Sequence, residues 1–176
     1  MIEVITVVNG ILEENCYIVH NGQTCLIVDP GSKAEKIIKT IKDKGLNPLG
    51  ILITHSHFDH IGALEEVKKE YPNAVVVNNK NKGDQSIGLF KFKVIENPGH
   101  TEDSVSYYFD MNNVLFSGDF VFKGTIGNYP DGMEDDMVKS LNVFKYMPSN
   151  VEVYPGHGPS TTVKEEVENN PFLRGI

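Results

Sequence analysis

The stretch Thr54-His55-Ser56-His57-Phe58-Asp59-His60 decides how this chain is read. It follows Leu49-Gly50-Ile51-Leu52-Ile53, an apolar run that suits a buried strand. It precedes a segment, 60–70, in which Ile61, Leu64 and Val67 mark one helical face and Glu65, Glu66, Lys68 and Lys69 the other. A strand that ends in a turn aims neighbouring side chains into one small volume. His55 and His57, two residues apart, converge there on one ion, while Asp59 and His60 open the helix and face a second ion about 3.5 to 4 Å from the first, the usual spacing of two-metal hydrolytic sites.

Further along, Pro98-Gly99-His100-Thr101 and Pro155-Gly156-His157-Gly158-Pro159 repeat a second device. In each, Pro-Gly fixes a turn and lets the backbone pass close to a site. Five of the six histidines fall in these motifs, and only His20 lies outside. Asp119, in Ser117-Gly118-Asp119, has two carboxylate oxygens and suits a bridging role. Together these residues offer too many donors for one tetrahedral ion and suit two ions that share a carboxylate.

Strands are expected at 2–8, 15–20 and 24–28, the last two forming a hairpin through Asn21-Gly22. That turn would set Ile18, not Cys16, opposite Cys25, so the two cysteines are expected as buried free thiols. Ser32 is expected to cap a helix over 33–44 with Glu35 as its capping-box partner, and Gly45 to stop it. A short strand follows at 74–77, and the polar run 78–85 reads as a surface loop. The second half echoes the first, with strands near 89–96, 104–109, 113–117 and 151–154, a helix near 134–146 and a last helix from 161. Each histidine motif falls at a strand end, where loops on a rigid sheet gather ligands distant in sequence.

A length of 176 residues with 40% apolar content supports one substantial core, so a single domain over 1–176 is expected. The net charge of −8 disfavours nucleic-acid and anionic-membrane partners, which need a basic surface, and the expected partner is a small-molecule substrate. No apolar run approaches the roughly 20 residues that span a bilayer. Met1-Ile2-Glu3-Val4 lacks the start of a signal peptide, so a cytoplasmic location is expected.

The four motifs, in this order and over nearly the whole chain, resemble the metallo-β-lactamase-fold hydrolases. That resemblance implies an α/β chain folded as a four-layer αββα sandwich of two similar halves. It assigns His55, His57 and His100 to a first divalent ion and Asp59, His60 and His157 to a second, with Asp119 bridging them. It gives Asp29, in Val28-Asp29-Pro30-Gly31, a supporting role behind the ligands, although Asp-Pro-Gly is also a plain turn signal. Zinc is the first expectation for both ions, with iron and manganese also compatible with histidine and carboxylate donors.

Two such ions would hold a water between them and bring its pKa from 15.7 to near 7, supplying hydroxide as the nucleophile. Asp59 is the candidate to assist proton movement while remaining a ligand. Gly-Xaa-Ser-Xaa-Gly is absent, and no Ser or Cys nucleophile is required. Within the family, Ser117-Gly118-Asp119-Phe120 and Gly124-Thr125-Ile126-Gly127 look most like the glyoxalase II group, which implies hydrolysis of a thioester or related ester. The chain is expected to lack that group's C-terminal helical domain, Asn128 stands where small relatives often have an arginine, and the short 78–85 loop implies an open pocket. Lys123 and Tyr129 are the candidate substrate contacts. The resemblance also extends to persulfide dioxygenases, with one iron on two histidines and a carboxylate, and to lactonase-type hydrolases.

Overall fold

Along the strand Glu14–His20, successive residues face two different cores, and every one of them is buried. Cys16 and Ile18 pack among one set of apolar side chains, Tyr17 and Val19 among another. This is the period-two alternation of a strand covered on both faces. A computed structural model describes all residues, 1–176, and the rest of the fold extends from this central strand.

One sheet holds five strands in chain order: β1 (Glu3–Asn9), β2 (Glu14–His20), β3 (Thr24–Val28), β4 (Asn47–Leu52) and β5 (Val75–Val77). Between β3 and β4 lies helix α1 (Ala34–Asp43); α2 (Phe58–Ile61) and α3 (Leu64–Glu70) separate β4 from β5. The second half contributes β6 (Gly83–Ile87), β7 (Phe90–Glu96), β8 (Val105–Phe109), β9 (Val114–Gly118), a small hairpin of β10 (Val121–Phe122) and β11 (Thr125–Ile126), and helix α4 (Glu134–Lys145). It closes with β12 (Glu152–Pro155), β13 (Thr161–Thr162), α5 (Val163–Asn169) and α6 (Pro171–Arg174). The second sheet runs β13-β12-β9-β8-β7-β6.

Three apolar clusters define four layers. Ile18, Ile27 and Ile51 cover the outer face of the first sheet against Ile37 and Ile41 of α1 and Val67 of α3. Tyr17, Val28 and Leu52 meet Phe92, Tyr107 and Phe116 between the sheets. Leu115 and Val153 on the far side pack against Leu141 and Phe144 of α4 and Leu173 of α6. The order is helix, sheet, sheet, helix, the expected αββα sandwich, because each sheet must bury both faces. Tyr17 and Phe116 touch across the middle with ring centroids 5.3 Å apart.

The sheets are locked together at one edge. The Asn15 amide donates to the carbonyls of Pro155 and Gly158 at 3.1 and 2.8 Å, the Tyr17 hydroxyl donates to Pro155 at 2.5 Å, and Val105 N–H donates to Thr54 O at 2.9 Å. β3 and β4 run parallel, as do β9 and β12, so the loops after all four open on this edge. Loops beyond the carboxyl ends of parallel strands are where α/β folds build their sites.

Several local expectations are corrected. Lys33, in the left-handed region at φ 51°, occupies the N-cap of α1 with no side-chain cap bond, so Ser32 does not cap it and no capping box forms. Gly45, at φ 65°, does end it. The helix expected over 60–70 is two pieces, because Ala63 N–H turns away to donate to Pro30 O at 2.9 Å. The expected loop 78–85 ends in β6, which pairs with β7. His20, not Ile18, lies opposite Cys25, yet both cysteines are free and buried as expected. β10 and β11, two residues each, were not expected at all. No helix is long and apolar enough to cross a membrane.

Candidate metal centre

Each site side chain leaves a strand end. His55 and His57 follow β4, His57 is the N-cap of α2, and Asp59 and His60 lie in its single turn. His100 comes from the β7–β8 loop, Asp119 follows β9 and His157 follows β12. Chain segments far apart in sequence thus meet in two groups whose donor atoms lie within 4.8 Å of one another: His55, His57 and His100, and Asp59, His60, Asp119 and His157. The residues that the resemblance implied for two ions thus lie together, with Asp119 grouped beside Asp59, His60 and His157.

Hydrogen bonds behind the rings decide which nitrogen each histidine offers. His100 Nδ1–H donates to Asn128 O at 2.5 Å, and His157 Nδ1–H donates to Leu12 O at 3.0 Å. His60 Nδ1–H donates to Asp29 Oδ2 at 2.7 Å. His55 Nδ1 lies 3.0 Å from Thr54 Oγ1, whose own proton goes to Asp29 Oδ2 at 2.6 Å. In all four rings the Nε2 atom is left facing inward, the usual arrangement in which an outer acceptor fixes a ligand's tautomer. His57 differs, presenting Nδ1 at 3.1 Å from His100 Nε2.

Asp119 sits between the two groups. Its Oδ2 is 3.7 Å from His55 Nε2, 3.6 Å from His100 Nε2 and 3.5 Å from His157 Nε2, and its Oδ1 is 3.2 Å from His60 Nε2. Asp59 Oδ2 lies 3.1 Å from His157 Nε2 and 3.5 Å from His60 Nε2. His55 Nε2, His60 Nε2 and Asp119 Oδ1 are buried with no hydrogen-bond partner. Buried polar atoms without partners carry a desolvation penalty. Inward-facing nitrogens and carboxylate oxygens with nothing to bond fit divalent cations, which supply the missing partner.

Electrostatics reinforces this. Burial opposes it, but the His157 and His60 rings beside it, and the charges of His60 and His55, hold Asp119 well below the usual carboxylate range. Burial and the charge of His60 push His55 down to about 4, leaving a neutral ring. For His60 burial is outweighed by the charge of Asp29, its hydrogen bond with Asp29 and the nearby Asp119 carboxylate, which raise it to about 11 in the ion-free protein. A cation bound there would have to compete with a proton for His60 Nε2.

Glycines give the cluster its density. A Cβ at Gly156 would overlap Asp119 Oδ1 and stand 2.6 Å from His60 Cε1; one at Gly127 would overlap Asp119 O and stand 3.1 Å from His100 Nδ1. Asp29 is more than a turn residue. It adopts φ 51°, strained for a non-glycine, and accepts from Thr54 N–H, Thr54 Oγ1 and His60.

Sequence reasoning missed Glu14. It is 1% exposed, its Oε1 is 3.7 Å from His60 Nδ1, and neither oxygen has a hydrogen-bond partner. Burial, then the charge of Asp29, raises it to about 10, so it is a neutral acid behind the cluster. A lone glutamate opening a strand carries no signal of this. Lys123 lies exposed in the β10–β11 turn and Tyr129, 40% exposed, follows Asn128; both flank the segment that touches His100.

The metallo-beta-lactamase superfamily profile matches residues 9–85 and 80–159. A probable metallo-hydrolase of Bacillus subtilis, YqgX, is 34% identical with 95% of each chain covered. The hydroxyacylglutathione hydrolase GloC of Haemophilus influenzae is 29% identical over 92% of this chain and 93% of its own. Among solved structures, the B3 metallo-beta-lactamase BLEG-1 superposes with a TM-score of 0.92 at 33% identity, over 97% of this chain and 99% of its own. TTHA1623, crystallised in a di-iron-bound form, gives 0.87 at 30% identity, over 96% and 100%. With its fold, its site and these likenesses in agreement, the chain belongs to the metallo-beta-lactamase superfamily.

Proposed function

We propose that this metallo-hydrolase works with two divalent ions, zinc in the first instance, and cleaves a thioester or related ester. His55 Nε2, His57 Nδ1 and His100 Nε2 hold the first ion; Asp59, His60 Nε2 and His157 Nε2 hold the second; Asp119 bridges. The observation that carries this reading is the position of Asp119, with one oxygen within 3.7 Å of ring nitrogens from both groups and the other facing His60. The di-iron-bound relative supports a two-ion count.

Ions bound there would activate water and polarise the scissile carbonyl. The chain's own residues set the geometry for that chemistry. Asp29 holds the His60 ring and, through Thr54, the His55 ring. Asp59, 15% exposed at its side chain and with Oδ2 3.1 Å from His157 Nε2, is assigned to assist proton movement while remaining a ligand. Lys123 and Tyr129, on the rim beside His100, are assigned to the non-reacting part of the substrate.

The likeness to a hydroxyacylglutathione hydrolase supports the thioester, and the likeness to a B3 metallo-beta-lactamase supports a lactam as the second reading. The test is zinc-reconstituted protein assayed side by side on a hydroxyacylglutathione thioester and a β-lactam. Faster turnover of the thioester is expected; cleavage of the lactam alone would overturn the thioester assignment.

A further inference from the structure

Far from the ligands in sequence, the C-terminal helices bury a carboxyl group that makes no ion pair. Glu166 of α5 is 1% exposed and accepts three hydrogen bonds, from Gly124 N–H at 2.9 Å, Asn170 Nδ2 at 2.9 Å and Thr161 Oγ1 at 2.6 Å. Asn170, fully buried, donates from the same Nδ2 to Thr125 O at 3.0 Å. A buried carboxyl costs free energy unless its oxygens are saturated, and here one of the three donors, Gly124 N–H, comes from the β10–β11 hairpin. Glu166 and Asn170 grip the β10–β11 hairpin at Gly124 and Thr125.

The other end of that hairpin reaches the metal centre. Gly127 N–H donates to Phe120 O at 3.1 Å, and Gly127 packs against the Asp119 carbonyl too closely to admit a side chain. The next residue, Asn128, supplies the carbonyl that receives His100 Nδ1–H. On the opposite side of the hairpin, the Phe122 ring stands edge-on to His157, with centroids 6.0 Å apart. The hairpin has two residues per strand, too few to hold its own position.

We propose that Glu166, with Asn170, is a positioning residue for the metal centre: it fixes the hairpin so that the Asn128 carbonyl keeps the His100 proton on Nδ1 and presents Nε2 inward. The proposal rests on the reading of His100 as a ligand, but its first readout does not. If the hairpin loosens, His100 loses its acceptor and is free to place its proton on Nε2, shared with His57 Nδ1 3.1 Å away. That tautomer has no lone pair on Nε2, the nitrogen that faces inward. His60 and His157, whose acceptors are Asp29 and Leu12, have no reason to change.

The experiment is nitrogen-15 NMR of the histidine rings in metal-free protein, comparing wild type with Glu166→Ala and Glu166→Gln. Glu166→Ala is expected to move His100 alone toward a mixture of tautomers. Glu166→Gln restores it, because the amide oxygen still accepts from Gly124 and Asn170 while the amide nitrogen donates to Thr161. Zinc affinity, read by competition with a chelator, should fall about tenfold in Glu166→Ala and recover in Glu166→Gln. If Glu166→Ala does not fold, Asn170→Ala, which removes only the bonds to Thr125 and Glu166 and a cap, serves in its place. A folded variant whose His100 resonances match wild type, or whose ring signals all shift together, overturns the proposal. A wild-type protein that fails to take up zinc while His100 still responds overturns the two-ion reading and leaves the positioning role standing.

Discussion

Asp29 Oδ2 accepts Nδ1–H of His60 at 2.7 Å, which turns the opposite nitrogen of that ring toward Asp119 Oδ1, 3.2 Å away. One carboxylate behind the cluster thus decides what another residue offers to its centre. Asp29→Asn keeps the size and the tolerance of φ 51° but replaces one acceptor oxygen with a donor. Zinc affinity should fall by about 10- to 100-fold, the usual effect of losing such a support, with the fold retained. Chelator competition alongside a thermal melt checks both parts.

Zinc binding should tighten as pH rises through neutrality. The ion-free protein carries a proton on His60 up to about 11, and the loaded protein cannot, so lowering the proton concentration favours loading. This one proton contributes about tenfold per pH unit. His55, held near 4, adds no such dependence above that value. A flat profile of apparent zinc affinity against pH would contradict the assignment of His60 Nε2 as a ligand atom.

Gly156→Ala should damage the centre more than its size suggests. The added methyl has no room beside Asp119 Oδ1 and His60, so overpacking of about 1 to 3 kcal/mol is expected in the melt. Zinc content should drop with it. A variant with full metal content and unchanged melting temperature would show that the ligands stand farther from this backbone.

Lys123→Ala and Tyr129→Phe should raise KM on the thioester by a few-fold with kcat unchanged, the signature of contacts made equally in ground and transition states. Steady-state kinetics on the zinc-loaded protein decides it. A fall in kcat at constant KM would place these residues in the chemistry instead.

Much of the cluster was legible in the sequence because its histidines and aspartates are residue types that few other tasks require together. His55, His57, Asp59, His60, His100, Asp119 and His157 all lie where the motifs put them, since each follows a strand whose own pattern was readable. What escaped was held by atoms every residue has. The Asn128 and Leu12 carbonyls fix His100 and His157, and a backbone carbonyl leaves no mark on composition. The identity of the Asn128 side chain plays no part in this, because its backbone carbonyl receives the His100 proton. Local rules failed where tertiary contacts overrode them: Pro30 drew Ala63 out of a helix, and Lys33 took a left-handed cap in place of Ser32.

A hydrolase of this design needs two ions per chain to reach its full rate. Metal-free protein titrated with zinc, with the rate of hydroxyacylglutathione hydrolysis measured after each addition, tests it most directly. The account predicts a rate that climbs until two equivalents are bound, and that in Asp119→Ala stays at least about a hundredfold lower throughout, as expected when a group central to the charge stabilisation is removed. A rate that reaches its maximum at one equivalent, or that Asp119→Ala leaves intact, would contradict it.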